Sequence, residues 1–290
     1  MRIVLLASLL FCVSALSAQY FQQDVAYNIH VKLDDKSMML RGDEEVVYTN
    51  NSPDTLSFVY FHLWPNAYKN KQTAMAKQII RMGETKIYFA DEQDLGYIDS
   101  LSFALNGKLC LWEFDSNNID ICKIFFENPL KPGESVTITT PFKVKIPSGS
   151  ISRLGHVGES FQITQWYPKP AVYDTAGWHQ MPYLTQGEFY SEFGSFDVFI
   201  TLPDNYVVGA TGDLHTESEV QFLNGKLEET DDWMKEREAN DDWSENNELD
   251  FPVSSKTLKT LHYHQERVHD FGCFADKRYH VLKGMVGLPN

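Results

Sequence analysis

Positive charge is scarce in this chain. Its 290 residues hold 25 Lys and Arg against 40 Asp and Glu, a formal charge of −15 with His neutral. A nucleic-acid binder needs a basic face to neutralise phosphates, so that class is excluded. Long apolar runs are also missing: beyond the first residues no segment has 18 uninterrupted apolar side chains, so nothing later reads as a membrane-spanning helix. Phosphate loops of the types G-x-x-x-x-G-K-[ST] and G-x-G-x-x-G do not occur, and neither does the nucleophile elbow G-x-S-x-G. Gly194-Ser195 leads into Phe196-Asp197, a strand entry. H-E-x-x-H is absent as well, so two His and a Glu on one helical face cannot assemble a peptidase zinc site here. No complete catalytic signature lies within these residues.

Helical periodicity is rare, and the sequence reads as extended chain almost throughout. Val25, Tyr27, Ile29, Val31 and Leu33 alternate with polar residues, which predicts a half-buried strand. Similar runs recur at 44–49, 55–63, 86–90, 98–105, 108–114, 119–126, 135–140, 160–166, 195–202, 206–210 and 256–264, separated by turn chemistry such as Asn50-Asn51-Ser52-Pro53-Asp54. Regular spacing of this kind predicts an all-β fold, a large antiparallel sandwich. The clearest helical exception is 67–81. Aromatic residues make up 13% of the chain, enough to fill a substantial core and too many for a disordered one.

Residues 1–18 read as a cleaved secretory signal: Met1-Arg2, an apolar run from Ile3 to Leu16, then small residues before Gln19. The apolar run is short for a membrane anchor, and Phe11 stands before Cys12 where lipidation requires a small residue. The expected location is therefore outside the cytoplasm. Cleavage leaves 24 basic against 40 acidic residues and three cysteines. Cys110 and Cys122 flank Asp115-Ser116-Asn117-Asn118, where a disulfide and a pair of buried thiols fit the sequence equally well. Residues 228–250 form an acidic insertion with eleven Asp and Glu. It lacks the Gly turn and alternating oxygen ligands of a calcium loop, so it reads as solvated surface.

Histidine offers few ligand patterns. His62 and His179 sit among aromatic residues and read as structural. His262, His264 and Glu266 form a lesser metal candidate on one strand, while His269 lies five residues past His264, off helical spacing.

The most distinctive stretch is Phe161-Gln162-Ile163-Thr164-Gln165-Trp166-Tyr167-Pro168-Lys169-Pro170-Ala171-Val172-Tyr173-Asp174, followed by Gly177-Trp178-His179 and Gly187-Glu188-Phe189-Tyr190-Ser191-Glu192-Phe193-Gly194. In order around it stand Tyr27-Asn28-Ile29-His30-Val31, Tyr48-Thr49-Asn50-Asn51-Ser52, Leu130-Lys131-Pro132-Gly133-Glu134 and Leu202-Pro203-Asp204-Asn205-Tyr206. This ordered set resembles the amino-terminal domain of the membrane-alanyl aminopeptidase family, the gluzincin zinc peptidases, in its exported bacterial branch. The resemblance implies a saddle-like β-sandwich over 19–268 that packs against a thermolysin-like catalytic domain of the same polypeptide. Residues 269–290 are then the start of that domain. It implies zinc in the full-length family member, held by residues absent from this chain, and a peptide substrate cut from its free amino end. It further implies that Gln165, or else Gln162, reaches the cleft and helps hold the substrate's α-amine. The family's Thr-Gln-x-Glu would place a carboxylate where Tyr167 stands. A competing reading is a non-catalytic secreted binding module that offers Trp166, Tyr167, Tyr173 and Trp178 to peptide or glycan.

Overall fold

A computed structural model describes residues 20–187, 189–242, 250–284 and 287. The expected signal sequence, Glu188, Trp243 and the last three residues lie outside the described residues.

The opening alternation forms the strand Asp24–Asp34, with Val25, Tyr27, Ile29, Val31 and Leu33 buried and Asn28, His30 and Lys32 facing out. The Asp34 carboxylate accepts from the amides of Lys36 and Ser37, which turns the chain into the antiparallel strand Met39–Thr49. On its other edge Asp24–Asp34 pairs in parallel with Gly194–Pro203. These strands centre a nine-stranded sheet whose order runs 213–214, 258–268, 194–203, 24–34, 39–49, 135–145, 104–105 and 108–109, with 97–99 also on 135–145.

Two four-stranded sheets and a two-stranded hairpin, 173–174 with 177–178, accompany it among the described residues. One orders 155–157, 160–163, 273–276 and 207–210; the other orders 169–170, 56–62, 121–130 and 112–114. Their inward side chains join those of the large sheet in one core: Tyr27 stacks on Phe196 at 4.4 Å and meets Tyr167 edge-on, and Phe142 packs against Trp166. The fold is an all-β sandwich. The boundary expected after residue 268 precedes the strand Cys273–Asp276, which sits inside the smaller sheet between 160–163 and 207–210. Behind it, fully buried Lys277 pairs with Glu159 and donates to Ser254, fixing this late segment to the sandwich.

Several local expectations are corrected. Residues 86–90 form a helical turn, Lys86–Phe89. The helix expected over 67–81 starts only at Ala74, because Thr73 caps it by accepting from the Ala76 amide; ahead of it Trp64–Tyr68 is a 3-10 turn. The run 108–114 splits as the chain crosses from one sheet to the other, with 108–109 in the large sheet and 112–114 in a small one. Residues 228–240 of the acidic insertion lie on a 24-residue helix, Glu217–Asn240, which begins well before the compositional patch. Polar contacts seat this helix: buried Glu219 pairs with Lys259 at 2.7 Å, Thr230 accepts from the Val281 amide, and Trp233 stacks on His280 at 4.0 Å.

Cys110, Cys122 and Cys273 are free thiols. Cys122 lies opposite Phe114, so Cys110 is displaced from it along the hairpin and instead donates to the Phe103 carbonyl at 3.3 Å.

Candidate functional site

The strand Ser160–Ile163 ends in a corner made by Gln165, whose φ of 49° is left-handed, a conformation that disfavours most L side chains. The corner survives because the residues after it are anchored. Trp166 is fully buried and donates its indole N–H to the Phe271 carbonyl at 3.0 Å. Tyr167, also buried, donates its hydroxyl to Asp270 Oδ1 at 2.9 Å. Gln165 Nε2 donates to Asp270 Oδ2 at 3.0 Å, and Lys169 Nζ lies 3.2 Å from the same oxygen. Thus three side chains from one loop converge on one carboxylate.

The electrostatics are those of a dry ion pair. Burial pushes the Asp270 carboxyl up, yet Lys169, Gln165 and Tyr167 together hold it below the ordinary carboxylate range. Burial pushes the Lys169 ammonium down, against the pull of Asp270. The ammonium also lies 4.4 Å from the ring of Trp64, so its remaining face is covered by an aromatic surface. His62 stacks on that Trp64 ring at 4.5 Å, and its Nε2 accepts from the Met181 amide. Burial and the neighbouring Lys169 drive its pKa down to about 3, so His62 is a neutral structural residue, as its surroundings suggested.

Gln165 therefore has one committed end and one that is buried and unpaired. Its amide N–H is fixed on Asp270, while Oε1 is buried without a hydrogen-bond partner. Such an orphaned acceptor carries a desolvation cost until a donor reaches it. Gln162 points elsewhere: it is exposed on the outer side of its strand, directly opposite Phe274, and no hydrogen bond among the described residues joins it to Gln165 or Asp270. Exposed apolar side chains border this region, with Phe274 at 42% and Phe193 at 50% exposure, the latter edge-on to His269.

Asp270 and Lys169 were not singled out from the sequence. A lysine between two prolines in aromatic surroundings signals a buried cation, but nothing local names its partner across the fold.

The aromatic platform of the competing reading divides. Trp166 and Tyr167 are core residues, whereas Tyr173 and Trp178 are half-buried and contact each other at 4.9 Å. The metal candidate also changes. A bulge around Gly194 and Phe196, opposite 265–268, turns the strand beyond Gln265, and Glu266 makes no side-chain contact with His262 or His264 among the described residues. No three His, Cys, Asp or Glu side chains among the described residues already stand arranged to hold a metal ion. No helix among the described residues is long and apolar enough to cross a membrane.

No family model and no curated protein matches the chain. Among solved structures it shares a distant likeness with the M1 zinc metallopeptidase from Deinococcus radiodurans, at 16% identity and a TM-score of 0.44. Variants of that peptidase align similarly, one at 15% identity with a TM-score of 0.46 and one, bound to a Tyr-Ser-Ala substrate, at 15% and 0.44. Each alignment covers 88% of this chain and 42% of the other, so the chain spans less than half the length of these structures.

Proposed function

We infer that this chain is the amino-terminal portion of an exported zinc aminopeptidase, in which the Gln165 corner forms part of the wall that receives the substrate's free amino end. The observation that carries this reading is the orphaned Oε1 of Gln165 beside the Asp270 carboxylate. A peptide's α-ammonium brings three N–H donors and a positive charge, and a pre-fixed carbonyl oxygen next to an ionised carboxylate suits both. Tyr167, at the position of the family's carboxylate, donates to Asp270, so the negative charge near this corner comes from Asp270 instead. Gln162, exposed on the outer side of its strand, is the lesser candidate for this role.

Bond cleavage belongs, on this reading, to a catalytic domain of the same polypeptide that carries H-E-x-x-H and the zinc. The exposed Phe193 and Phe274 border the corner where that domain would dock. Zinc there would polarise the scissile carbonyl and activate water; the residues of this chain only orient the amine and shape the cleft.

The gene sequence downstream of the Asn290 codon tests the reading. An in-frame H-E-x-x-H, together with release of amino-terminal residues from peptides by the full product, is the expected result. A stop codon directly after Asn290 would overturn it.

A further inference from the structure

The pentapeptide Leu-Asn-Gly-Lys-Leu occurs twice in this chain, at 105–109 and at 223–227. The fold gives the two copies opposite surroundings. In the first, Leu105 pairs with Lys108, and Asn106-Gly107 forms the two-residue tip of a hairpin, with left-handed φ values of 49° and 80°. In the second, the same five residues lie inside the helix Glu217–Asn240. Asn106 and Asn224 are both exposed, so access to water does not distinguish them. A difference in reactivity between the copies therefore reports the backbone around them.

We propose that Asn106 is a site of spontaneous deamidation and isoaspartate formation, and that Asn224 is protected from the same reaction. The Gly107 backbone nitrogen loses its proton to hydroxide and attacks Asn106 Cγ, forming a C–N bond that closes a five-membered succinimide. The Cγ–Nδ2 bond breaks, and ammonia leaves with a proton taken from water, which restores the hydroxide. Water then opens the ring: attack at Cγ gives aspartate, and attack at the main-chain carbonyl gives isoaspartate. The net change consumes one water and releases one ammonia, with nothing oxidised or reduced.

The hairpin tip suits each part of this sequence. Nucleophile and electrophile belong to adjoining residues, so the attack is intramolecular. Among the described residues the Gly107 N–H has no acceptor and Asn106 Nδ2 has no partner, so neither the attacking nitrogen nor the leaving group is committed elsewhere. Gly107 carries no side chain to crowd the attack, and nothing lies within 4 Å of the place a Cβ would take. Asn106 Oδ1 accepts from the Thr137 amide at 3.0 Å, which draws electrons from Cγ and stabilises the oxyanion that attack creates. The second copy differs at the nucleophile. Inside the helix the Gly225 N–H is spent on the carbonyl four residues back, and that bond must break before the nitrogen can react.

The two products affect the sheet differently. Aspartate keeps an oxygen for the Thr137 amide and adds a negative charge, whereas isoaspartate lengthens the backbone by a methylene and disturbs the pairing of Leu105 with Lys108 at the sheet edge.

Incubation of the folded chain in mildly alkaline buffer, followed by peptide mass mapping with fragmentation that separates aspartate from isoaspartate, tests the site. The expected result is conversion of Asn106 at least about tenfold faster than of Asn224, because opening a helix interior costs more than a fluctuation at a hairpin tip. Conversion should quicken as pH rises, and ammonia should appear in step with it but not from an Asn106→Asp variant. In urea, where the helix is lost, both copies should convert at similar rates. Equal rates at the two positions in the folded chain, or conversion of Asn106 in urea alone, would overturn the proposal.

Discussion

Lys169 and Asp270, distant in sequence, meet at 3.2 Å with the lysine almost wholly shielded from water. Breaking such a pair leaves one buried charge uncompensated, which costs far more than the pair contributes when intact. Lys169→Met should therefore destabilise the fold by about 3–5 kcal/mol in urea unfolding. The double variant Lys169→Met/Asp270→Asn should recover much of that loss. If the two single losses simply add in the double variant, the two groups are not coupled.

Gln165 offers a kinetic prediction that rests on the proposed function. In the full-length enzyme, Gln165→Ala should lower kcat/KM on peptides with a free amino end by about 10- to 100-fold, the scale of one hydrogen bond to a charged group. Amino-blocked peptides, if cut at all, should be unaffected. Unchanged kinetics on free-amine peptides would remove Gln165 from the cleft.

Glu192 links stability to pH. Burial raises its carboxyl to about 7, whereas in the unfolded chain it titrates in the ordinary range. The folded state therefore holds this proton more tightly, so the associated stability is fully present in acid and is lost as pH rises through about 7. Glu192→Gln should remove that loss, on the order of 3 kcal/mol between pH 5 and pH 8. Parallel pH slopes for parent and variant, measured by urea midpoints, would exclude Glu192 as the source.

The thiols give a redox prediction. Cys122 and Cys273 are buried, and burial pushes the Cys273 thiol up to about 12, while Cys110 is partly exposed. An alkylating reagent should label Cys110 first under native conditions, with the other two protected until unfolding. A reductant should leave the thermal midpoint unchanged. A shift on reduction would reveal a disulfide.

The strands were legible where one face is buried, since a half-buried strand writes its period of two into the sequence. Asp24–Asp34 shows this best, and Ser135–Lys145 continues the alternation past the expected Thr140. The helix Glu217–Asn240 was not legible as one element. Polar groups such as Glu219 and Thr230 make its contacts, Gly225 interrupts its weak apolar stripe, and an acidic patch starting at residue 228 cuts it in two. At the candidate site, Gln165 was marked by its motif, but Asp270 was not, because an ion pair closed across the fold leaves no local spacing.

The parallel pairing of Asp24–Asp34 with Gly194–Pro203 bears on how the chain is made. A ribosome releases the first hairpin, 24–34 with 39–49, long before its second neighbour exists, so an apolar strand destined for the centre of the sheet waits with one edge bare. Closure of the large sheet is a late, long-range event, of the kind that slows folding and invites pairing with other chains. Nascent chains halted before Gly194 should therefore depend on holding factors that shield strand edges.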